Sequence, residues 1–267
     1  MLTASVVTYH TDLEELRQCI ESVGRSSAER LYVVDNSSDE AIRDLCGSYA
    51  FVSYIPSDNR GYGAGHNQAI RQAALLGSRY HLVINSDIEF DPADLQQLTE
   101  YMDGNGNVGA VQPRIVNPDG SLQYTVRMLP TPFDLILRRF MPRGWFDKRR
   151  QRYELRHLDH DREFDVAYHQ GSFMMLRMKA LCDIGGFDER FFMYPEDIDL
   201  TRRIHQQYRT MYVPFVTVVH HHRAASYKSP RMLRIHIVNM IRYFNKWGWL
   251  FDAERRRINR TLRHPAE

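Results

Sequence analysis

The sequence predicts an α/β protein in which a mostly parallel central sheet is flanked by helices and followed by a basic, helical C-terminal extension. Three observations lead there. Strand-sized apolar runs alternate with segments of helical period from Leu2 to Gln112, the pattern of βαβ units. The early runs end in polar or glycine-rich turns, and sheets of this kind bind ligands beyond the carboxyl ends of their strands. From Ser229 onward apolar residues recur on one helical face, with arginine and lysine spread around it.

Taken in order, Leu2 to Tyr9 reads as a buried strand, and Asp12 to Val23 as a helix with Leu13, Leu16, Ile20 and Val23 on one side. Leu31 to Val34 is a second strand, and Asp35-Asn36-Ser37-Ser38-Asp39 supplies turn chemistry and the cap of a helix over Glu40 to Tyr49. Phe51 to Ile55 is the third strand; the glycine-rich loop Asn59 to Gly65 follows and opens a helix reaching about Leu76. His81 to Asn85 is the fourth strand. Asp91-Pro92 starts a helix with proline in its first turn, and Val108 to Gln112 is the fifth strand. Tyr9, Asp35, Asn59 and Asp87 should then face one crevice.

Beyond Asn117 the pattern loosens. Pro118-Asp119-Gly120 reads as a hairpin tip between Arg114–Val116 and Leu122–Val126. Residues 130–164 are basic and aromatic and read as a mobile or surface-docking insertion. Val166 to Leu176 returns to strand spacing around Gly171, and Met211 to Val219 is a strand ending in His220-His221-His222. The expected layout is a catalytic domain over 1–228, divided into halves at 117/118, and a basic extension over 229–267.

Composition narrows the class. With 267 residues, 43% hydrophobic and 25% charged, the chain buries a full core and is not disordered. Cys19, Cys46 and Cys182 are scattered, which fits a reducing compartment and excludes a structural zinc framework. The N-terminus reads as strand without a signal peptide, and no apolar run approaches the roughly 18–20 residues a spanning helix needs. The net charge of +2 conceals an asymmetry: residues 138–157 hold eight Lys/Arg against two acids, and residues 231–267 nine against three. An anionic partner is expected, a phospholipid surface or a lipid-diphosphate acceptor. Nucleic acid is not, because no recognised nucleic-acid motif accompanies the charge.

Two acidic clusters carry the chemistry. Asn85-Ser86-Asp87-Ile88-Glu89 ends a buried strand, where Asp87 can hold Mg²⁺ or Mn²⁺, hard cations that take oxygen ligands and bridge to phosphates. Glu196, Asp197 and Asp199 open a helix behind the aromatic, glycine-led turn Gly185 to Pro195. The helix dipole favours ionised carboxylates there, a structural role that competes with general-base catalysis. The loop Asn59-Arg60-Gly61-Tyr62-Gly63-Ala64-Gly65-His66-Asn67 can approach phosphate, but His66 stands where a dinucleotide fingerprint needs its third glycine, so a nicotinamide oxidoreductase is disfavoured. A neutral imidazole of His220, His221 or His222 could complete a cation's shell with Asp87; His220 and His222 share one side of their strand and His221 the other.

Together these segments resemble the family 2 glycosyltransferases, and within them the bacterial rhamnosyltransferase-like group. The matching residues are Ser5–Tyr9, Val33–Ser38, Asn59–Gly63 with Asn67, Asn85–Asp87, Gly171-Ser172, and Gly185–Leu200 with Arg203. The resemblance implies a GT-A fold and inverting transfer from a nucleoside-diphosphate sugar with a divalent cation. Carried over by position, Thr8, Tyr9, Asp35 and Asn36 would contact base and ribose, and Asn59, Gly61, Asn67 and Ser86 would border the nucleotide. Asp87 would be the metal-binding acid of a DxD motif whose first acid is Asn85 here. His220 or His222 would be the histidine ligand. Asp197, beside Glu196, would be the catalytic base, and Gly171 and Ser172 would border the acceptor.

The implied function is transfer of a sugar, dTDP-L-rhamnose being the first choice of donor and a UDP-hexose the second. The acceptor would be a glycan or lipid-linked hydroxyl in cell-surface polysaccharide synthesis, at the inner face of the cell membrane. The alternatives are a non-catalytic nucleotide-sugar or glycan-binding module of the same fold, and a sugar nucleotidyltransferase.

Overall fold

The computed structural model describes residues 1–136, 146–221 and 230–263. Its first half alternates as the sequence predicts: β1 (Leu2–Thr8), α1 (Leu13–Gly24), β2 (Arg30–Asp35), α2 (Glu40–Gly47), β3 (Val52–Pro56), α3 (Tyr62–Leu75), β4 (Tyr80–Ile84), then the short β5 (Ile88–Glu89), α4 (Pro92–Gly104) and β6 (Val108–Val116). The second half holds α5 (Pro132–Leu135), α6 (Asp147–Tyr153), β7 (Phe164–Asp165), β8 (Phe173–Arg177), α7 (Met178–Ile184), α8 (Glu196–His205), β9 (Arg209–His220), α9 (Pro230–Trp247) and α10 (Ala253–Arg263).

Local chemistry accounts for the boundaries. The Asp12 carboxylate accepts from the backbone of Glu14 and Glu15 to start α1, and Asp91 and Asp94 form a capping box around Pro92 at α4. β1, β2 and β4 are buried on both faces, as expected of central strands, and so read as continuous apolar runs.

The strand order is β3-β2-β1-β4-β8-β6-β9-β5, with β7 against β9. β1 to β4 pair in parallel; β8 runs antiparallel between β4 and β6, and β9 is parallel to β6. This reversal matters for the site. Because Phe173 pairs with Ile84, the residues entering β8 lie at the same sheet end as those leaving β4. There the Asn85 amide donates to the Ser172 carbonyl at 2.9 Å.

Helices α1, α2 and α4 cover one face of the sheet and α3, α7 and α8 the other. A third apolar cluster joins Tyr243 and Phe244 of α9 and Ile258 and Leu262 of α10 to Val126, Tyr153, Leu155, Ile198 and Tyr212. The C-terminal helices thus share a core with residues 126–212. The buried face of α9 holds Met240, Tyr243 and Phe244, while Ile241 is 39% exposed.

Two local expectations change. The hairpin after β6 shrinks to a single Val116–Leu122 bridge, beside which the Gln123 amide donates to the Ile115 carbonyl and its side chain bonds Asn117 and His220. The strand expected over 166–176 begins only at Phe173; residues 170–172 form a turn held by the Gln112 side chain, whose amide donates to the Gln170 and Phe173 carbonyls. Within the 130–164 segment the described part is docked, with Tyr153 and Leu155 buried; residues 137–145 lie outside the described residues.

Candidate active site

The crevice lies at the sheet end where β1, β2, β4 and β9 stop and β8 starts. Asp35, fully buried at the end of β2, accepts from the Thr8 hydroxyl at 3.1 Å, the Ser37 and Asp39 amides at 3.0 and 2.7 Å, and the Tyr54 hydroxyl at 3.0 Å. Burial pushes its carboxyl up, but these donors outweigh it and hold the group below the usual carboxylate range. Asn36 is buried beside it, and its Oδ1 has no hydrogen-bond partner. Tyr9 is mostly exposed at the rim, and the Asn59 side chain accepts from the Gly61 amide at 3.3 Å.

Asp87 follows β4, and β5 pairs with the end of β9, so that the His221 amide donates to the Asp87 carbonyl. This ladder brings His220 Nε2 to 3.3 Å from Asp87 Oδ1. The other ring nitrogen, Nδ1, donates to Gln123 Oε1 at 2.9 Å, which leaves Nε2 the lone-pair atom of the neutral ring. A carboxylate and an oriented imidazole on one spot suit a hard divalent cation whose remaining ligands come from phosphate and water. Among the described residues no cluster of three His, Cys, Asp or Glu side chains stands ready to hold an ion alone. His221 instead pairs with Glu89 on the surface, and His222 lies outside the described residues.

Glu196 and Asp197 open α8 and are both buried. Asp197 Oδ2 accepts from the Gly171 amide at 3.0 Å and Oδ1 from the Ile198 amide at 2.7 Å. Burial lifts its pKa to about 6, against those amides and the Arg127 charge, which pull it down. Burial and the Asp197 charge push the Glu196 carboxyl well up, so the pair holds a proton more readily than two separate carboxyls would.

Tyr62, at the start of α3, links the two clusters. Its hydroxyl lies 2.6 Å from the Gly171 carbonyl and 3.0 Å from Asn85 Oδ1, donating to one oxygen at a time. Burial holds its pKa well up, and through Asn85 and Gly171 the hydroxyl bonds the near neighbours of both acids, Asn85 two residues before Asp87 and Gly171 on the Asp197 carboxylate. Gly171 is needed for closeness: a Cβ there would stand 3.3 Å from the Tyr62 ring and 3.4 Å from the Asp197 Cβ. Gly61 has φ 100°, and a Cβ on it would collide with the Phe192 carbonyl at 2.0 Å.

Other expected residues have structural employment. The Asn67 amide accepts from the Phe187 amide at 2.8 Å and donates to the Phe187 carbonyl at 2.9 Å, bracing the turn before α8. Arg203 bonds Asp199 and the Ile184 and Gly186 carbonyls of the same turn. Ser86 donates to Glu15 at 2.5 Å, and Ser172 is buried behind the crevice. Sequence reasoning assigned no role to Tyr62, Gln123 or Arg127. Tyr62 stood inside the glycine loop; Gln123 and Arg127 carried no local signal, since their roles arise from residues distant in the chain.

The model of the family described as glycosyl transferase family 2 matches residues 4–185. The chain belongs to that family. This glycosyltransferase is 30% identical over 215 residues to the N-acetylglucosaminyl-diphospho-decaprenol L-rhamnosyltransferase of Mycobacterium tuberculosis, covering 74% of this chain and 68% of the relative. It is 27% identical to the rhamnosyltransferase WbbL of Escherichia coli, covering 97% of this chain and 98% of that one. Among solved structures, GalNAc-T7 with UDP, GalNAc and Mn²⁺ superposes with a TM-score of 0.69 at 13% identity, over 92% of this chain and 48% of that one. The mannosyltransferase PcManGT of Pyrobaculum calidifontis, with GDP-Man and Mn²⁺, gives 0.60 at 18% identity, over 90% and 64%. The fold of this family 2, rhamnosyltransferase-like enzyme is therefore GT-A.

Proposed function

We propose that this glycosyltransferase moves L-rhamnose from dTDP-L-rhamnose to a hydroxyl of a glycan or lipid-linked acceptor, inverting the anomeric centre. The observation that carries the reading is the Tyr62 hydroxyl, which bonds Asn85 of the Asp87 cluster and the Gly171 that holds Asp197, so the two acidic clusters lie side by side, as a donor diphosphate and an attacking alcohol require. The rhamnosyltransferase names of the two relatives favour the sugar.

The nucleoside end of the donor would lie over β1 and β2, where Asp35 is already fixed as an anion and Asn36 Oδ1 awaits a donor group. Asp87 and His220 would hold Mg²⁺ or Mn²⁺, which when bound neutralises charge on the departing diphosphate. Asp197 takes the acceptor proton. Near neutral pH it is ionised, and its tie to Gly171 aims the carboxylate at the crevice mouth. Asn67 and Arg203 position α8 through the Gly185–Phe187 turn. Gly171 and Ser172 border the acceptor side.

The test is a thermal-shift panel of nucleoside diphosphates with and without Mn²⁺, since a ligand stabilises the native state by mass action. A metal-dependent rise with dTDP and none with GDP is expected. A response to GDP alone sinks the donor assignment, and pyrophosphate release from a sugar phosphate and a triphosphate would make the protein a nucleotidyltransferase.

A further inference from the structure

The corner between α9 and α10 is exposed, apolar and rigid, and neither the transfer reaction nor the core uses it. Leu250 is 69% and Phe251 87% exposed, with Trp249 at 38%. A loop carrying such residues for no purpose would ordinarily be floppy or polar. This one is held in shape from within. The Arg255 guanidinium donates to the Gly248 and Trp249 carbonyls, and Arg256 donates to the Leu250 carbonyl while its head lies over the Phe251 ring.

The surface beside the tip is cationic. Arg256, Arg257, Arg260 and Arg263 are all exposed along α10. The acids nearby are turned away: Asp252 is buried against Arg202, and Glu254 bonds Arg202 and Gln206. We propose that the Leu250–Phe251 tip and the α10 arginines form a docking wedge for an anionic bilayer surface, the tip entering the acyl boundary and the guanidinium groups meeting lipid phosphates. Charge complementarity points to this occupant: an exposed apolar tip beside four arginines matches an acyl boundary lying under lipid phosphates. No described helix is long and apolar enough to cross a membrane, so attachment through this corner is peripheral.

The wedge also has a fixed relation to the catalytic helix. Arg202, on α8, is buried and grips Asp252 next to the tip with two bonds of 2.8 and 2.7 Å, under the Trp247 ring. A docked tip would therefore set the height and tilt of the Asp197 end of α8 above the lipid surface. That deepens the reading of a lipid-linked acceptor, on which this last step rests; the docking itself does not depend on it.

The experiment is co-sedimentation of the full chain with vesicles of phosphatidylcholine alone or mixed with phosphatidylglycerol. Binding should need the anionic lipid and weaken with salt. The double variant Leu250→Ser/Phe251→Ser should lower the partition coefficient at least tenfold without lowering Tm, and Arg257→Gln/Arg260→Gln/Arg263→Gln should remove the salt dependence. Equal binding to neutral vesicles, or wild-type binding by the tip variant, overturns the proposal. So does a concentration-dependent dimer, in sedimentation velocity, that the tip variant abolishes. A failed dTDP response with intact vesicle binding would count against the transfer reading alone.

Discussion

His220 Nε2 lies 3.3 Å from Asp87 Oδ1, and the geometry is set from behind by Gln123, which fixes the opposite ring nitrogen. The two residues come together because β5 and β9 pair in register, Ile88 against His220. If the two hold a cation, as proposed, the site would lean on this supporting hydrogen bond and on the donor's phosphates.

Asp87→Ala should abolish the stimulation by Mn²⁺ of both donor binding and turnover. Gln123→Leu, which removes only the support, should raise the metal concentration needed for half-maximal activity about 10- to 100-fold. Titration with Mn²⁺ under otherwise saturating conditions distinguishes them: Gln123→Leu recovers at high metal and Asp87→Ala does not.

The base predicts a pH profile. Asp197 titrates at about 6 in the folded protein because it is buried, so kcat/KM should rise with pH through that region. Asp197→Asn should cost about 10²- to 10⁴-fold in rate. The same change should flatten the dependence of stability on pH. A carboxyl whose folded pKa is raised above its unfolded value contributes stability at low pH that is lost as pH rises through about 6, and an amide has no such loss. A variant whose Tm, relative to the wild type, does not gain between pH 4.5 and pH 7.5 would contradict the burial argument.

Acid should weaken the protein through its buried histidines. His81 bridges Thr3 at 2.8 Å and Ser5 at 2.8 Å, and Ser5 continues to His66 at 2.7 Å. Burial drives the His81 pKa to about 3, that of His169 likewise to about 3, and that of His66 well below its ordinary value. Groups with depressed folded pKa values lend stability above their unfolded pKa near 6.5 and withdraw it as pH falls toward 3. The unfolding free energy from urea titrations should fall steadily from about pH 6 to pH 4.5, by about 1.4 kcal/mol per pH unit for each such histidine. A flat profile would refute this.

Arg202→Met should destabilise the C-terminal helices. The arginine is 1% exposed and its loss leaves Asp252 buried without its main counter-charge. Breaking one partner of a buried pair costs about 3–5 kcal/mol, so a large drop in urea midpoint is expected. A double change, Arg202→Met with Asp252→Leu, should recover much of it.

Much of the fold was legible because its signals are local. The strands over 2–8, 31–34 and 81–84 are apolar runs of strand length, their helices are capped by Asp12, Asp39 and Asp91, and the period alone separates one from the other. The two acidic clusters were legible for the same reason: each sits at an element boundary that the chain marks with its own turn residues.

By itself the sequence determined the alternation of strand and helix and the residue types at the strand ends, since period, capping and turn chemistry act over a few neighbours. Only the tertiary structure decided that β8 runs against its neighbours, which brings Gly171 to Asp197 and Asn85 to Ser172. It also decided that Tyr62 bridges Asn85 and Gly171, that His220 faces Asp87, and that α9 packs through Tyr243 and Phe244. Those contacts join residues far apart in the chain, and their energies come from burial and from hydrogen bonds that exist only once the sheet has assembled.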